Sequence, residues 1–144
     1  MKMLVAYDGT IQSKDALRFG LEKAREKGAM LAVLQVFKDS LFIDYGAGPA
    51  ALGAAREESE RQLGEARAII KEEGKGVKTA VFTVDGDPEE QVLGFAESER
   101  VDMLLCTPKY KGIARRYAAG ESAGMGSGSA VVYGVGGKAA GSWA

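Results

Sequence analysis

The chain has 144 residues, 46% of them hydrophobic and 27% charged, a balance expected of one globular domain spanning 1–144. The 19 basic and 20 acidic residues leave a formal charge of −1, so no basic excess points to nucleic acid. No apolar run approaches the ~20 residues of a membrane span. Histidine is absent and Cys106 is the single cysteine. That rules out an internal disulfide, His-dependent acid/base and nucleophile systems, and most transition-metal sites.

Met3-Leu4-Val5-Ala6-Tyr7 is a near-continuous apolar run, as in a strand covered on both faces, and it breaks sharply into Asp8-Gly9-Thr10. Asp8-Gly9 supplies turn chemistry, and either Thr10 or Ser13 can cap the helix that follows. In open α/β sheets ligands sit outside the carboxyl ends of strands, so Asp8 is either a turn former or a site residue. Ser13 to Lys27 carries a helical stripe of Ala16, Leu17, Gly20, Leu21 and Ala24, with Gly28 as its stop. Met30 to Phe37 reads as a second buried strand, and Met1 leads straight into the first; a cytoplasmic protein is expected.

Residues 38–53 read as a long loop of the kind that forms lids or binding loops. An amphipathic helix is predicted from about Ala51 to Glu73, its inner face being Leu52, Ala55, Ser59, Leu63, Ala66 and Ile70. Its outer face of Glu, Arg and Lys reads as solvated surface. Val77 to Val84 is a third strand. Asp87-Pro88-Glu89-Glu90 is a helix start, with Asp87 at the N-cap, Pro88 at the first position and Glu90 completing a capping box. That helix runs to about Glu99, and Asp102 to Cys106 is a fourth strand. Strands alternating with helices predict βαβ units and a parallel sheet.

After Cys106 the pattern changes. Thr107 to Arg116 is basic and turn-rich, with Lys109, Lys111, Arg115 and Arg116. Residues 117–144 are glycine-rich and irregular, with a fifth strand only at Ala130 to Tyr133 and frayed residues from Gly136 onward.

Three segments in this order, LVAYDGTIQSKDAL, the strand ending at Val36-Phe37, and TVDGDPEEQVLGFAESERVDMLLC, resemble the universal stress protein family. The resemblance covers residues 1 to about 116. It implies a three-layer α/β/α, Rossmann-like fold whose five-stranded, mostly parallel sheet has the order 3-2-1-4-5. The turns after Tyr7 and Cys106 would then meet at a topological switch point. It also implies a regulatory module binding ATP or another adenine nucleotide, with little or no hydrolysis. The implied nucleotide-binding set is Ala6, Tyr7, Asp8, Thr10, Val36, Thr107, Lys109, Gly112, Gly120 and Ser122. Asp8 would face the nucleoside, Val36 would frame the base with Val84 near it, and the segment after strand four would hold the phosphates. Tyr7 would stack on the base or line the crevice. The family's Gly-x-x-Gly-x9-Gly-Ser/Thr phosphate motif falls on Thr107, Tyr110, Gly120 and Glu121, so one of four positions is kept. Lys109, Lys111, Arg115, Arg116 and Ser122 are the available substitutes.

The resemblance implies a homodimer as well, formed through an edge strand near the C-terminus, for which Ala130 to Tyr133 is the candidate. A nucleotide-free dimer acting in a stress response through a protein partner is therefore the alternative. A remote one is a hydrolase, because Gly120-Glu121-Ser122-Ala123-Gly124 fits the Gly-x-Ser-x-Gly elbow; without histidine Ser122 lacks its base. Gly124 to Ser129 could form an anion nest but reads as a loop. Asp87, Glu89 and Glu90 are explained by capping, not by a metal. Cys106, at a buried strand end, reads as packing.

Overall fold

Met3 through Tyr7 carry nothing that wants water on either side, and the protein covers both faces of the strand they form. A computed structural model of the chain describes residues 1–37, 49–118, 129–133 and 139–143. In chain order these form β1 (Lys2–Tyr7), α1 (Ile11–Lys27), β2 (Met30–Phe37), α2 (Pro49–Glu73), β3 (Thr79–Asp85), α3 (Pro88–Ser98) and β4 (Met103–Cys106). A single 3-10 turn (Pro108–Tyr110), α4 (Lys111–Ala118), β5 (Ser129–Tyr133) and β6 (Ala139–Trp143) follow. The strands make one sheet in the order β3-β2-β1-β4-β5-β6.

The pleat sorts the central strands into two cores. Leu4 and Ala6 of β1 pack with Ala32, Leu34, Leu104 and Cys106 beneath α3 and α4, against Val92, Ala96, Ile113 and Tyr117. Met3, Val5 and Tyr7 face the other way, with Leu31, Val33 and Leu105, against Leu17 and Leu21 of α1 and Ala66 and Ile69 of α2. Each fully buried Leu or Val contributes about 1.5–3 kcal/mol relative to exposure, so this two-sided burial is the main stabilising term. It produces the three-layer α/β/α architecture expected from the sequence.

β1 pairs in parallel with β2 on one side and β4 on the other, which puts the switch point between β1 and β4. The expected strand order is present, with one addition. β6 pairs antiparallel with β5, so the region expected to fray from Gly136 onward contains a strand at Ala139–Trp143. For the same reason Ala130 to Tyr133 is not an edge strand: its free side is taken by the chain's own β6. A second correction falls on Thr107 to Arg116. Its turn-rich opening is short, and α4 follows at once with Ile113, Ala114, Tyr117 and Ala118 buried. The third strand begins at Thr79 instead of Val77, because Val77 N–H is engaged in a turn with Gly74 O at 3.0 Å. The predicted loop over 38–53 gives way to α2 at Pro49, and 38–48 lie outside the described residues.

Candidate functional site

Asp8 emerges from β1 where the chain must leave the sheet, and local chemistry fixes its carboxylate. Oδ1 accepts from Thr10 N–H at 3.1 Å and from the Thr10 hydroxyl at 2.6 Å. Thr10 is itself the N-cap of α1, its hydroxyl oxygen accepting from Ser13 N–H at 3.1 Å. The choice between Thr10 and Ser13 as cap is thereby settled: Ser13 is buried and donates back to Thr10 O. Gly9, with φ +80°, lets the turn close beneath α2, since a Cβ there would lie 2.4 Å from the Gln62 side chain.

The other carboxylate oxygen, Asp8 Oδ2, is buried and without a hydrogen bond. Lys109 Nζ stands 3.8 Å away, an ion-pair separation beyond hydrogen-bond reach. Two further buried oxygens at neighbouring strand ends are also unpartnered, Oε1 of Gln35 on β2 and Oγ1 of Thr107 after β4. Gln35 is 4% exposed, and its amide nitrogen donates to Gln62 Oε1 at 2.7 Å. Buried polar atoms nearly always find partners, so three at one sheet end mark a place where hydrogen-bonding capacity is held unused.

A cleft of about 470 Å³ opens over this end of the sheet. Its walls are Asp8, Gln35, Val36 and Phe37 from the strand ends, Ala55, Glu58, Ser59 and Gln62 from α2, and Pro88, Lys109 and Tyr110 opposite. Tyr110 has its phenol pushed up to about 12, first by burial and then by the negative charge of Asp8, so it is a neutral group at neutral pH. Glu58 is the opposite case: hydrogen bonds from Arg61 hold its carboxyl below the usual range, leaving it anionic. Cys106 is fully buried and desolvation pushes its thiol up to about 12, in keeping with a packing role.

Of the residues expected at the site, Asp8, Val36 and Lys109 line the cleft. Thr107 sits just beneath the strand end, 1% exposed. Ala6 and Tyr7 do not reach it. Both are 2% exposed core residues, and the Tyr7 hydroxyl donates to Gln62 O at 3.1 Å, tying β1 to α2. Thr10 acts through Asp8. Gly112 lies exposed in the first turns of α4, with open space around it. Gly120 and Ser122 fall outside the described residues, as do the elbow pattern and the Gly124–Gly128 stretch. Val84 is half-buried under α3 and packs with the core there. Arg116, a substitute anion ligand in the sequence, is engaged by Glu89.

Sequence reading overlooked the contribution of α2. The polar face that looked solvated brings Glu58 and Gln62 into the cleft, because α2 packs its Leu63-Ala66 stripe beside the ends of β2 and β3. Gln35 was detectable, as the one polar residue in the otherwise apolar run of β2. Among the described residues no cluster of three or more acid, cysteine or histidine side chains is placed for a metal, and no helix is long and apolar enough to cross a membrane.

Similarity to known proteins follows the same architecture. The protein is 26% identical to the universal stress protein YxiE of Bacillus subtilis over 117 residues, covering 72% of this chain and 76% of that one. A universal stress protein structure from Burkholderia pseudomallei matches at 26% identity and a TM-score of 0.59, over 80% of this chain and 85% of that one. One from Archaeoglobus fulgidus, solved in complex with dAMP, matches at 19% identity and a TM-score of 0.58, over 79% and 84%. The family model for universal stress proteins matches residues 1–123, beyond the segments that carried the resemblance in the sequence. With that match spanning most of its length and the sheet order to go with it, the chain belongs to the universal stress protein family.

Proposed function

We propose that the protein is a regulatory module that binds an adenine nucleotide in the cleft over β1, β2 and β4. The observation that carries this reading is the Asp8 carboxylate: oriented by Thr10, it keeps a buried second oxygen with no hydrogen bond at the switch point. A ribose hydroxyl is a donor of the right kind for that oxygen. Val36, Phe37 and Tyr110 supply the apolar walls that a base requires, and a cleft of about 470 Å³ falls in the size range of small-molecule sites. The relative from Archaeoglobus fulgidus, solved with dAMP, supports the choice of ligand class.

Electrostatics orients the ligand. Glu58 on the α2 side is ion-paired with Arg61, while Lys109 on the opposite wall supplies a cation for the phosphates. Binding, without rapid hydrolysis, is the activity expected of such a module. Isothermal titration with ATP, ADP and AMP tests the reading. Saturable binding is expected, weakened at least tenfold in Asp8→Ala and partly kept in Asp8→Asn, which retains an acceptor oxygen. Absence of heat at millimolar concentrations of all three nucleotides would overturn it.

A second reading has one observation in its favour. Thr107 and Tyr110 occupy two of the family's phosphate-loop glycine positions and form a closed 3-10 turn, Tyr110 N–H donating to Thr107 O at 2.9 Å. A nucleotide-free member acting through protein contacts, in the cytoplasm, is the function that remains if the titration is silent.

A further inference from the structure

β2 is apolar from Met30 to Phe37 except at Gln35, a buried residue held in register between Tyr7 of β1 and Thr83 of β3. A carboxamide at that depth is costly unless its polar atoms are used. One half of it is used inside the protein, Gln35 Nε2 donating to Gln62 Oε1 at 2.7 Å. The other half, Oε1, is buried without a hydrogen bond.

Which atom of the carboxamide is left over is fixed from α2. Arg61 donates to both oxygens of Glu58, through Nε at 2.8 Å and through Nη2, so Glu58 is a carboxylate and can only accept. Gln62 lies 3.4 Å from Glu58 Oε1 and must face it with its NH2 group, which turns Gln62 Oε1 toward Gln35. Gln35 must then offer its own NH2, leaving its oxygen over. Turning over either amide, or both, would set two acceptors face to face. Nor can Gln62 withdraw, because its backbone oxygen takes the Tyr7 hydroxyl at 3.1 Å and its side chain lies against Gly9. Arg61, Glu58, Gln62 and Gln35 thus form one relay that ends in an acceptor of fixed direction.

We infer that Gln35 selects the base of the ligand: its side-chain oxygen accepts from the exocyclic amino group of a 6-aminopurine and rejects a 6-oxopurine. The inference rests on the nucleotide reading above. Gln35 lines the same cleft as Val36 and Phe37, the apolar walls assigned to the base. By its register it shares the face of Tyr7, under α2, whereas Asp8, the next residue of the chain, is approached by Lys109 from beyond β4. The two unused acceptors therefore belong to different walls, Asp8 to the sugar and Gln35 to the base. An amino group at C6 brings a donor to Oε1. A carbonyl at C6 brings an acceptor against an acceptor, and the relay keeps the amide from turning over to suit it. Burial raises the cost of the mismatch, since neither oxygen then has water to fall back on.

AMP and IMP differ at that edge of the base, so isothermal titration of the full chain with the two nucleotides reads the inference. The natural chain should bind AMP at least about tenfold more tightly than IMP. Gln35→Leu should bring the two affinities within about threefold of each other, chiefly through loss of AMP binding. Glu58→Gln removes the anion that sets the relay, lets both amides turn over, and should tighten IMP binding relative to AMP. A Gln35 that merely held α2 in place would behave differently: Gln35→Leu would weaken both ligands equally, and a preserved ratio overturns the inference. Equal affinities of the natural chain for AMP and IMP overturn it alone and leave the nucleotide reading standing, whereas silence with ATP, ADP and AMP alike removes both. If Gln35→Leu fails to fold, Glu58→Gln decides, and an unchanged ratio there counts against the relay.

Discussion

Asp8 owes its orientation to Thr10. A carboxylate at the end of a strand is free to turn in several directions, but two short bonds from one threonine leave this one with a single oxygen to offer. The same hydroxyl caps α1, so the orientation of the site and the start of the helix are one piece of chemistry. Thr10→Ala should therefore do two things at once. Loss of the cap should lower stability by about 1 kcal/mol in urea titrations. Loss of the Oδ1 bond should weaken AMP binding by freeing the Asp8 carboxylate to turn. Thr10→Ser keeps both bonds and should be close to wild type in both measurements; a variant impaired in binding but unchanged in stability would show that the threonine methyl, not its hydroxyl, matters.

At the scale of elements, legibility followed patterning. β1 and β2 were readable because both of their faces are buried and their sequences carry almost no polar residue. α3 was readable from its first turn, where Asp87 accepts from Glu90 N–H at 3.3 Å and Pro88 stands at the first position. Asp87→Ala should lower stability by about 1 kcal/mol with the urea dependence unchanged. A loss several times larger would show that the cap also holds the neighbouring turn at Gly86, where φ is +140°. α4 was missed since eight residues give scarcely two turns of stripe, and its basic side chains looked like loop. β6, Ala-Ala-Gly-Ser-Trp, has almost no strand propensity of its own and exists through pairing with β5. The site divides the same way. Asp8 was visible because a polar residue interrupts an apolar run, whereas Glu58 and Gln62 line the cleft only through the packing of α2 over the strand ends, which no local signal encodes.

At the scale of the whole molecule, burial of Tyr7, Tyr110, Tyr117 and Cys106 across both layers sets an alkaline limit. Tyr7 and Tyr117 lie in opposite cores, their hydroxyls donating to Gln62 O and Val101 O, while Tyr110 closes the cleft between them. Burial pushes all three from 10.0 to about 12, and lifts Cys106 from 9.0 to about 12. Between the unfolded and folded values the native state holds protons that the unfolded chain has released, so stability falls as pH rises. The contribution of these groups is intact below about pH 9 and disappears progressively toward pH 12. Urea midpoints should accordingly stay level from neutral pH to about 9 and then decline. Tyrosinate absorbance from Tyr7, Tyr110 and Tyr117 should appear together with loss of circular dichroism, and thiol reagents should reach Cys106 only in the same transition. Tyr110→Phe separates the cleft from the cores. Removing one phenol should reduce the slope of the decline while leaving the level portion unchanged, and a slope that stays the same would assign the alkaline sensitivity to Tyr7, Tyr117 and Cys106.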